Sequence, residues 1–343
     1  MKYRLLGHSG LRVSEVALGT MTFGEDWGWG SSKDEARAIY DAYRAAGGNF
    51  IDTANVYTNG TSESLLGEFI RDHRPSVVLA TKYTCAMTTG DANAGGNQRK
   101  SMVQALESSL RRLKTDYVDL YWLHVWDQMT PAEEVMRAFD DLVRQGKVLY
   151  IGVSDAPAWW IAHANTLAGL RGWTSFIGLQ IEYSLAQRTV ERELIPMAKA
   201  LQLGLLAWGP LAGGVLSGKY HSGQGNEGRY GVRPLEAARS GDRVDRIVNA
   251  LQRVAADTGR SPAQVALAWL RYRDIPVIPI LGARRLSQFE DNLASFNLEL
   301  TRDQVRALDE ASAVEMGFPY EQYARERIVN FVYGGMRDKI IAG

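Results

Sequence analysis

Four residues carry the chemistry that is legible in this sequence. Asp52 and Tyr57 lie in Gly48-Asn49-Phe50-Ile51-Asp52-Thr53-Ala54-Asn55-Val56-Tyr57, Lys82 ends the run Val77-Val78-Leu79-Ala80-Thr81, and His124 ends Val118-Asp119-Leu120-Tyr121-Trp122-Leu123. A phenol with a pKa of about 10 is a poor proton donor at neutral pH. A neighbouring ammonium stabilises its anion, and a carboxylate can hold that ammonium in place. Tyr57 therefore reads as the acid, Lys82 as the group that tunes it, and Asp52 as the anchor. His124 can hydrogen-bond a substrate oxygen. Taken singly, each has an ordinary reading: a turn-forming Asp, a packed Tyr, a solvated Lys, a structural His. What sets them apart is that each falls at or just past the end of a successive apolar run. A second chemistry stays open on the same residues, in which Lys82 forms a Schiff base with a carbonyl substrate, as in an aldolase, with Tyr57 and Asp52 as acid and base.

Residues so far apart meet only where strand ends converge. Short β-branched runs alternate with stretches of helical period, the signal of repeated βα units. The strands read as 14–20, 49–52, 77–82, 118–124, 148–154, 177–182, 204–208 and 277–282, and the helices as 33–46, 62–72, 98–113, 131–145, 157–170, 189–200, 261–272 and 286–294. That count predicts an α/β fold, a closed (β/α)8 TIM barrel whose parallel strands bring their C-terminal ends together. The first turn, Leu18-Gly19-Thr20-Met21-Thr22-Phe23-Gly24, lacks the G-x-G-x-x-G spacing of an open dinucleotide-binding sheet. Residues 3–6 and 11–13 flank Gly7-His8-Ser9-Gly10 and read as an N-terminal β-hairpin that plugs the far end of the barrel. Residues 210–242 form a long glycine-rich loop after the seventh strand, followed by an extra helix at 243–258. The C-terminal tail opens as a helix at 303–311 and turns aromatic and irregular at Phe318-Pro319-Tyr320, a segment placed to fold across the barrel mouth. With no linker or low-complexity segment, residues 1–343 read as one domain.

Composition narrows the function classes. Lys+Arg and Asp+Glu are both 39, and a zero net charge gives no support to a nucleic-acid or membrane surface. Cys85 is the only cysteine, so no intrachain disulfide forms, which suits a reducing cytoplasm. The start lacks a signal-like apolar core and no run reaches the roughly 20 apolar residues of a membrane span, so the expectation is a soluble cytoplasmic protein. His8, His73, His124, His163 and His221 have no metal-ligand spacing, and no metal is expected. No G-x-S-x-G elbow is present.

The order Asp-x4-Tyr, then Lys, then His resembles the tetrad of the aldo-keto reductase family. So do Gly60-Thr61-Ser62-Glu63-Ser64-Leu65-Leu66-Gly67 and Ser109-Leu110-Arg111-Arg112-Leu113 with Tyr117-Val118-Asp119, and the likeness runs from the hairpin near Tyr3 to about Ala294. It implies the same barrel, a reduced nicotinamide (usually NADPH, with NADH weaker) that delivers hydride to an aldehyde or ketone, and Tyr57 as proton donor. It also implies cofactor contacts at Gly19, Thr20, Met21 and Asp52. Ser154, Asp155 and Gln180 would hold the carboxamide, with Asp155 standing where Asn is usual, and Trp208 would stack on the ring. Gly209, Pro210, Leu211, Ala212, Gly214, Leu216, Gly218 and Lys219 would cover the pyrophosphate, where glycines admit close backbone approach. Gly282, Arg284, Gln288, Asp291 and Asn292 open a helix after the eighth strand. There Arg284 would pair with a ribose 2′-phosphate and Asp291 and Asn292 would hold the adenine, while Gln288 stands where many relatives carry Arg. Trp27, Trp29, Trp126, Tyr230 and Tyr320 are candidate walls of a pocket for a small carbonyl substrate. The alternative from another class is a nicotinamide-binding regulatory subunit on the same barrel, like the potassium-channel β subunits.

Overall fold

The computed structural model describes residues 1–218 and 241–341. Strands β1 (Tyr3–Leu5) and β2 (Arg12–Ser14) pair antiparallel as a hairpin. The chain then enters a barrel of β3 (Ala17–Gly19), β4 (Phe50–Asp52), β5 (Val78–Tyr83), β6 (Val118–Leu123), β7 (Val148–Ser154), β8 (Phe176–Glu182), β9 (Gly204–Trp208) and β10 (Val277–Leu281). These close in the order β10-β3-β4-β5-β6-β7-β8-β9, with every pair parallel. Helices pack outside, so both faces of each strand are covered. That explains why the strand sequences are near-continuous apolar runs rather than alternating ones.

The period of two still governs which residue goes where. Phe50, Val78, Ala80, Leu120, Trp122, Leu206, Ile278 and Ile280 fill the barrel interior. Their neighbours Ile51, Leu79, Tyr121, Leu123, Leu205 and Leu281 join the larger core beneath the helices. One further inward step at the C-terminal end gives Asp52 after Phe50, Lys82 after Ala80, His124 after Trp122 and Trp208 after Leu206. Ser154 follows Gly152 and Gln180 follows Gly178 in the same way. Those glycines make room for Trp122, since a Cβ on Gly152 would lie 2.3 Å from its ring. At the opposite end Leu6 and Val13 of the hairpin segment complete the interior cluster, so the expected plug is present.

Two expectations change. The predicted first strand at 14–20 is two elements, because β2 ends at Ser14 and β3 starts at Ala17. The buried hydroxyls of Ser14 and Tyr43 both donate to the Val16 carbonyl, at 2.8 and 2.9 Å, and turn the chain from plug into barrel. The helix predicted at 189–200 forms only over Leu194–Ala200, which leaves Pro196 in its first turn, where a missing N–H costs nothing. The tail begins as expected with a helix, Arg302–Ala311, closed by a Thr301–Gln304 capping box. It runs without helix or strand over 313–319, as expected, and then forms short helices, Tyr320–Ala324 and Glu326–Tyr333. It is tied to the segment after β8, where Arg192 donates to the Glu315 carbonyl and Glu193 meets Tyr320. The extra helix is present as Asp242–Thr258, while most of the long loop before it lies outside the described residues. No described helix is long and apolar enough to cross a membrane.

Candidate active site

Asp52, Lys82 and Tyr57 form one hydrogen-bonded unit. Lys82 Nζ lies 2.5 Å from Asp52 Oδ2, 2.8 Å from the Thr53 carbonyl and 3.1 Å from the Tyr57 hydroxyl. An ammonium has three N–H donors, and these partners use all of them. Lys82 is fully buried and Asp52 is 2% exposed. Gln180 Nε2 donates to the other oxygen of Asp52 at 2.9 Å. His124 faces the same space, its ring edge-on to Tyr57 with centroids 5.9 Å apart. Its Nδ1 meets Cys85 Sγ at 3.6 Å. The structure thus gathers all four residues that the sequence singled out.

Local chain geometry sets the tyrosine. It opens a 3₁₀ turn, Tyr57–Gly60, in which Thr58 and Asn59 take left-handed φ values of 45° and 55°. A β-branched residue there is strained and needs holding. Thr58 Oγ1 donates to the Phe23 carbonyl at 2.6 Å and accepts from the Ser62 amide. Another brace fixes β5 beside Lys82, where buried Glu63 accepts from Thr81 Oγ1 at 2.5 Å and from Arg112 Nε at 2.7 Å. The supporting roles of Thr53, Thr58, Glu63, Arg112 and Cys85 escaped the sequence reading. Glu63 and Arg112 lay inside quoted motifs, but their pairing across 49 residues has no local signal.

The electrostatics refine the roles. Burial pushes the Tyr57 phenol above its ordinary value, and Lys82 pulls it down by less. The ammonium lowers this pKa as expected, but burial outweighs it, and Tyr57 keeps its proton at neutral pH. Burial pulls Lys82 down, but Asp52 and Tyr57 outweigh it, so the ammonium persists. A Schiff base needs a free amine, and this geometry runs against the aldolase reading. Burial and the Lys82 charge lower His124 to about 3, which makes its imidazole a neutral hydrogen-bonding group.

The remaining strand ends carry the residues read as cofactor contacts. Ser154 Oγ is buried and has no hydrogen-bond partner. An unmet buried hydroxyl costs about 1–3 kcal/mol, so a ligand amide at this point would satisfy it. This orphan is the observation that suits a nicotinamide carboxamide. Asp155, at φ +42°, accepts the Trp208 indole N–H on Oδ1 at 3.1 Å. Loss of solvation pushes its carboxyl up to about 6, and Glu182 adds to the rise while Trp208 and Lys82 oppose it. Beyond β9, Gly213 and Gly214 take φ values of 67° and 100°, conformations that glycine allows without cost. They and Gly209 and Leu211 are partly open, whereas Pro210, Ala212, Leu216 and Gly218 are buried.

Several calls need correction. Thr20 is fully buried, and its hydroxyl is spent on the Asp52 carbonyl and Ser62, so its side chain braces the strand instead of meeting a ligand. Gly19 is buried against Ile280, while Met21 is partly open. Asp291 is a helix staple, since its two oxygens accept from Gln264 and Ser261 at 2.9 and 3.0 Å. Asp291 itself is exposed and keeps further acceptor positions, while the neighbouring Asn292 is 8% exposed. Gln288 Oε1 accepts from the Arg284 amide and so caps its own helix. At the start of this helix the Leu286 amide donates to the Glu35 carboxylate. Gly282 and Arg284 remain open or partly open beside β10. Lys219 and Tyr230 lie outside the described residues.

Among the candidate pocket walls, Trp27 donates its indole N–H to Asn59, two residues from Tyr57, and packs on Trp29 with ring centroids 5.7 Å apart. Trp126 packs against Trp159 and Trp160, and its own indole N–H is buried without a partner. Trp27 thus stands beside the Tyr57 turn in the loop after β3, whereas Trp126, in the loop after β6, packs onto Trp159 and Trp160 of the helix that follows β7. Tyr320 hydrogen-bonds Glu193.

The sequence model of the aldo/keto reductase family matches residues 15–313. The chain is 36% identical over 331 residues to a norsolorinic acid reductase of Aspergillus flavus, covering 92% of this chain and 82% of that one. It is 39% identical over 324 residues to a norsolorinic acid reductase of Emericella nidulans, covering 91% and 81%. It is 34% identical over 342 residues to an aryl-alcohol dehydrogenase [NADP(+)] of Phanerodontia chrysosporium, covering 94% and 89%.

Proposed function

This chain belongs to the aldo/keto reductase family of oxidoreductases, and we propose that it reduces aryl aldehydes or ketones with NADPH, with Tyr57 as the proton donor. The observation that carries the reading is the single ammonium bonded at once to Asp52 and to the Tyr57 hydroxyl. A phenol that keeps its proton at neutral pH can give it to a carbonyl oxygen. Lys82, held by Asp52 and Thr53, stabilises the phenolate left behind. Gln180 fixes the Asp52 carboxylate, and so fixes the direction from which Lys82 reaches Tyr57. The neutral His124 can hydrogen-bond the carbonyl oxygen and orient it toward Tyr57 without competing as an acid.

The residues suited to hold the cofactor are Ser154, Asp155 and Trp208 at the ring, Gly213 and Gly214 at the pyrophosphate, and Arg284 at the 2′-phosphate. The chemistry that a bound reduced nicotinamide supplies is a hydride to the carbonyl carbon. The aromatic substrate class rests on the Trp27–Trp29 pair beside the Tyr57 turn and on relatives named for norsolorinic acid and aryl alcohols. NADPH consumption measured against a panel of aryl and alkyl aldehydes tests the proposal. The expected result is turnover that favours aryl substrates. Binding of NADPH without turnover of any of them would instead favour the regulatory-subunit reading.

A further inference from the structure

Asp155 presents something that an asparagine in its place would not. Its φ of +42° lies in the left-handed region, which Asp and Asn tolerate better than other residues with side chains. Its Oδ1 accepts the Trp208 indole N–H at 3.1 Å, so a carboxylate is fixed to the edge of that ring. Trp208 is the surface on which the proposed function stacks the nicotinamide, and the inference rests on that reading. Two other charged groups face Asp155, Glu182 at the end of β8 and Lys82 on β5, and they act in opposite directions.

We infer that Asp155 makes the site discriminate between the two redox states of its cofactor, favouring the cationic nicotinamide of NADP+ over the neutral dihydronicotinamide of NADPH. The oxidised ring carries a positive charge and the reduced ring carries none. The phosphates are common to both forms and cancel in the ratio of affinities. Asp155 is exposed at its solvent side, so screening limits the effect, and a unit charge several ångströms away then changes such a ratio by roughly tenfold. On the enzyme, this pulls hydride transfer toward carbonyl reduction and retains the oxidised product. The charge is itself titratable, because the Asp155 carboxyl is pushed up to about 6. Between pH 5 and 8 the charges of Tyr57, Lys82 and His124 stay fixed, since the first two titrate above their ordinary values and His124 at about 3. Glu182 is retained in an Asp155→Asn protein, so any pH dependence left in that variant is assigned to groups other than Asp155.

The test is calorimetric titration of the full chain with NADP+ and with NADPH, at pH 8 and pH 5, for wild type and Asp155→Asn. The expected result is a roughly tenfold fall in Kd(NADPH)/Kd(NADP+) at pH 8 in the variant, mostly through weaker NADP+. The wild-type ratio should fall similarly from pH 8 to pH 5, and the variant's should not. Trp208→Phe keeps a stacking ring but releases the carboxylate, and it should lower the ratio at pH 8 as well. Equal changes in both affinities, or an unchanged ratio in either variant, would overturn the inference. If wild type bound neither form, the proposed function would fall first.

Discussion

The two ends of the barrel are built from one alternation and come out as opposites. At the hairpin end, Leu6 and Val13 close on Ala17, Phe50, Val78 and Ile177 in a wholly apolar plug. At the other end, the next inward positions are Asp52, Lys82, His124, Ser154, Gln180 and Trp208. Burying apolar side chains stabilises, at about 1.5–3 kcal/mol for each large one. Burying an ammonium and a carboxylate at best recovers its desolvation cost. The polar end is therefore not explained by stability. It holds an arrangement that stability alone would not select, and part of it, the Ser154 hydroxyl, still lacks a partner.

That contrast is open to attack from both ends. The largest effect should come from Tyr57→Phe, which removes one proton and keeps the ring. We expect kcat to fall by about 10²–10⁴, with NADPH affinity little changed. Stability should shift by no more than the roughly 1.5–3 kcal/mol of one hydrogen bond to a charged group. Steady-state kinetics and denaturant unfolding on the same preparation check both halves. The converse change is Leu6→Ala in the plug, which should cost about 2–5 kcal/mol of stability. The kcat of the folded protein should stay within about twofold. A matching loss of kcat would mean that the ends are not separable. The smallest effect belongs to the rim. Arg284→Ala should weaken NADPH by about 10–100-fold through a lost charge-assisted pair worth roughly 1.5–3 kcal/mol, and leave NADH nearly unchanged. An equal loss for both cofactors would make Arg284 a support for its loop.

The sequence announced the barrel and the acid half of the site because both depend on short-range pattern. Apolar runs mark the strands, and Asp52, Lys82 and His124 fall at their ends, with Tyr57 in the turn that follows the first. What stayed hidden depends on packing between distant elements. The break at Glu15 and Val16 falls inside an unbroken strand-like pattern, and the hydroxyls that impose it come from Ser14 and Tyr43. Asp291 and Gln288 look unengaged in sequence, but Ser261, Gln264 and the Arg284 amide each bond to them once the helices meet. Thr20 is lost to its neighbour strand in the same way. The pKa of Tyr57 was legible in its causes and not in its sign, because burial outweighs the ammonium and burial is a property of the fold.

The central claim is that a nicotinamide gives its hydride to a carbonyl at the polar end of this barrel while Tyr57 gives the proton. Single turnover with NADPH deuterated at the transferable C4 position, followed by mass spectrometry of the alcohol, tests it most directly. The account predicts one deuterium at the carbinol carbon in wild type, and a much slower transfer of the same label in Tyr57→Phe. An alcohol without the label, or a borohydride-trapped adduct on Lys82 with turnover independent of NADPH, would contradict it.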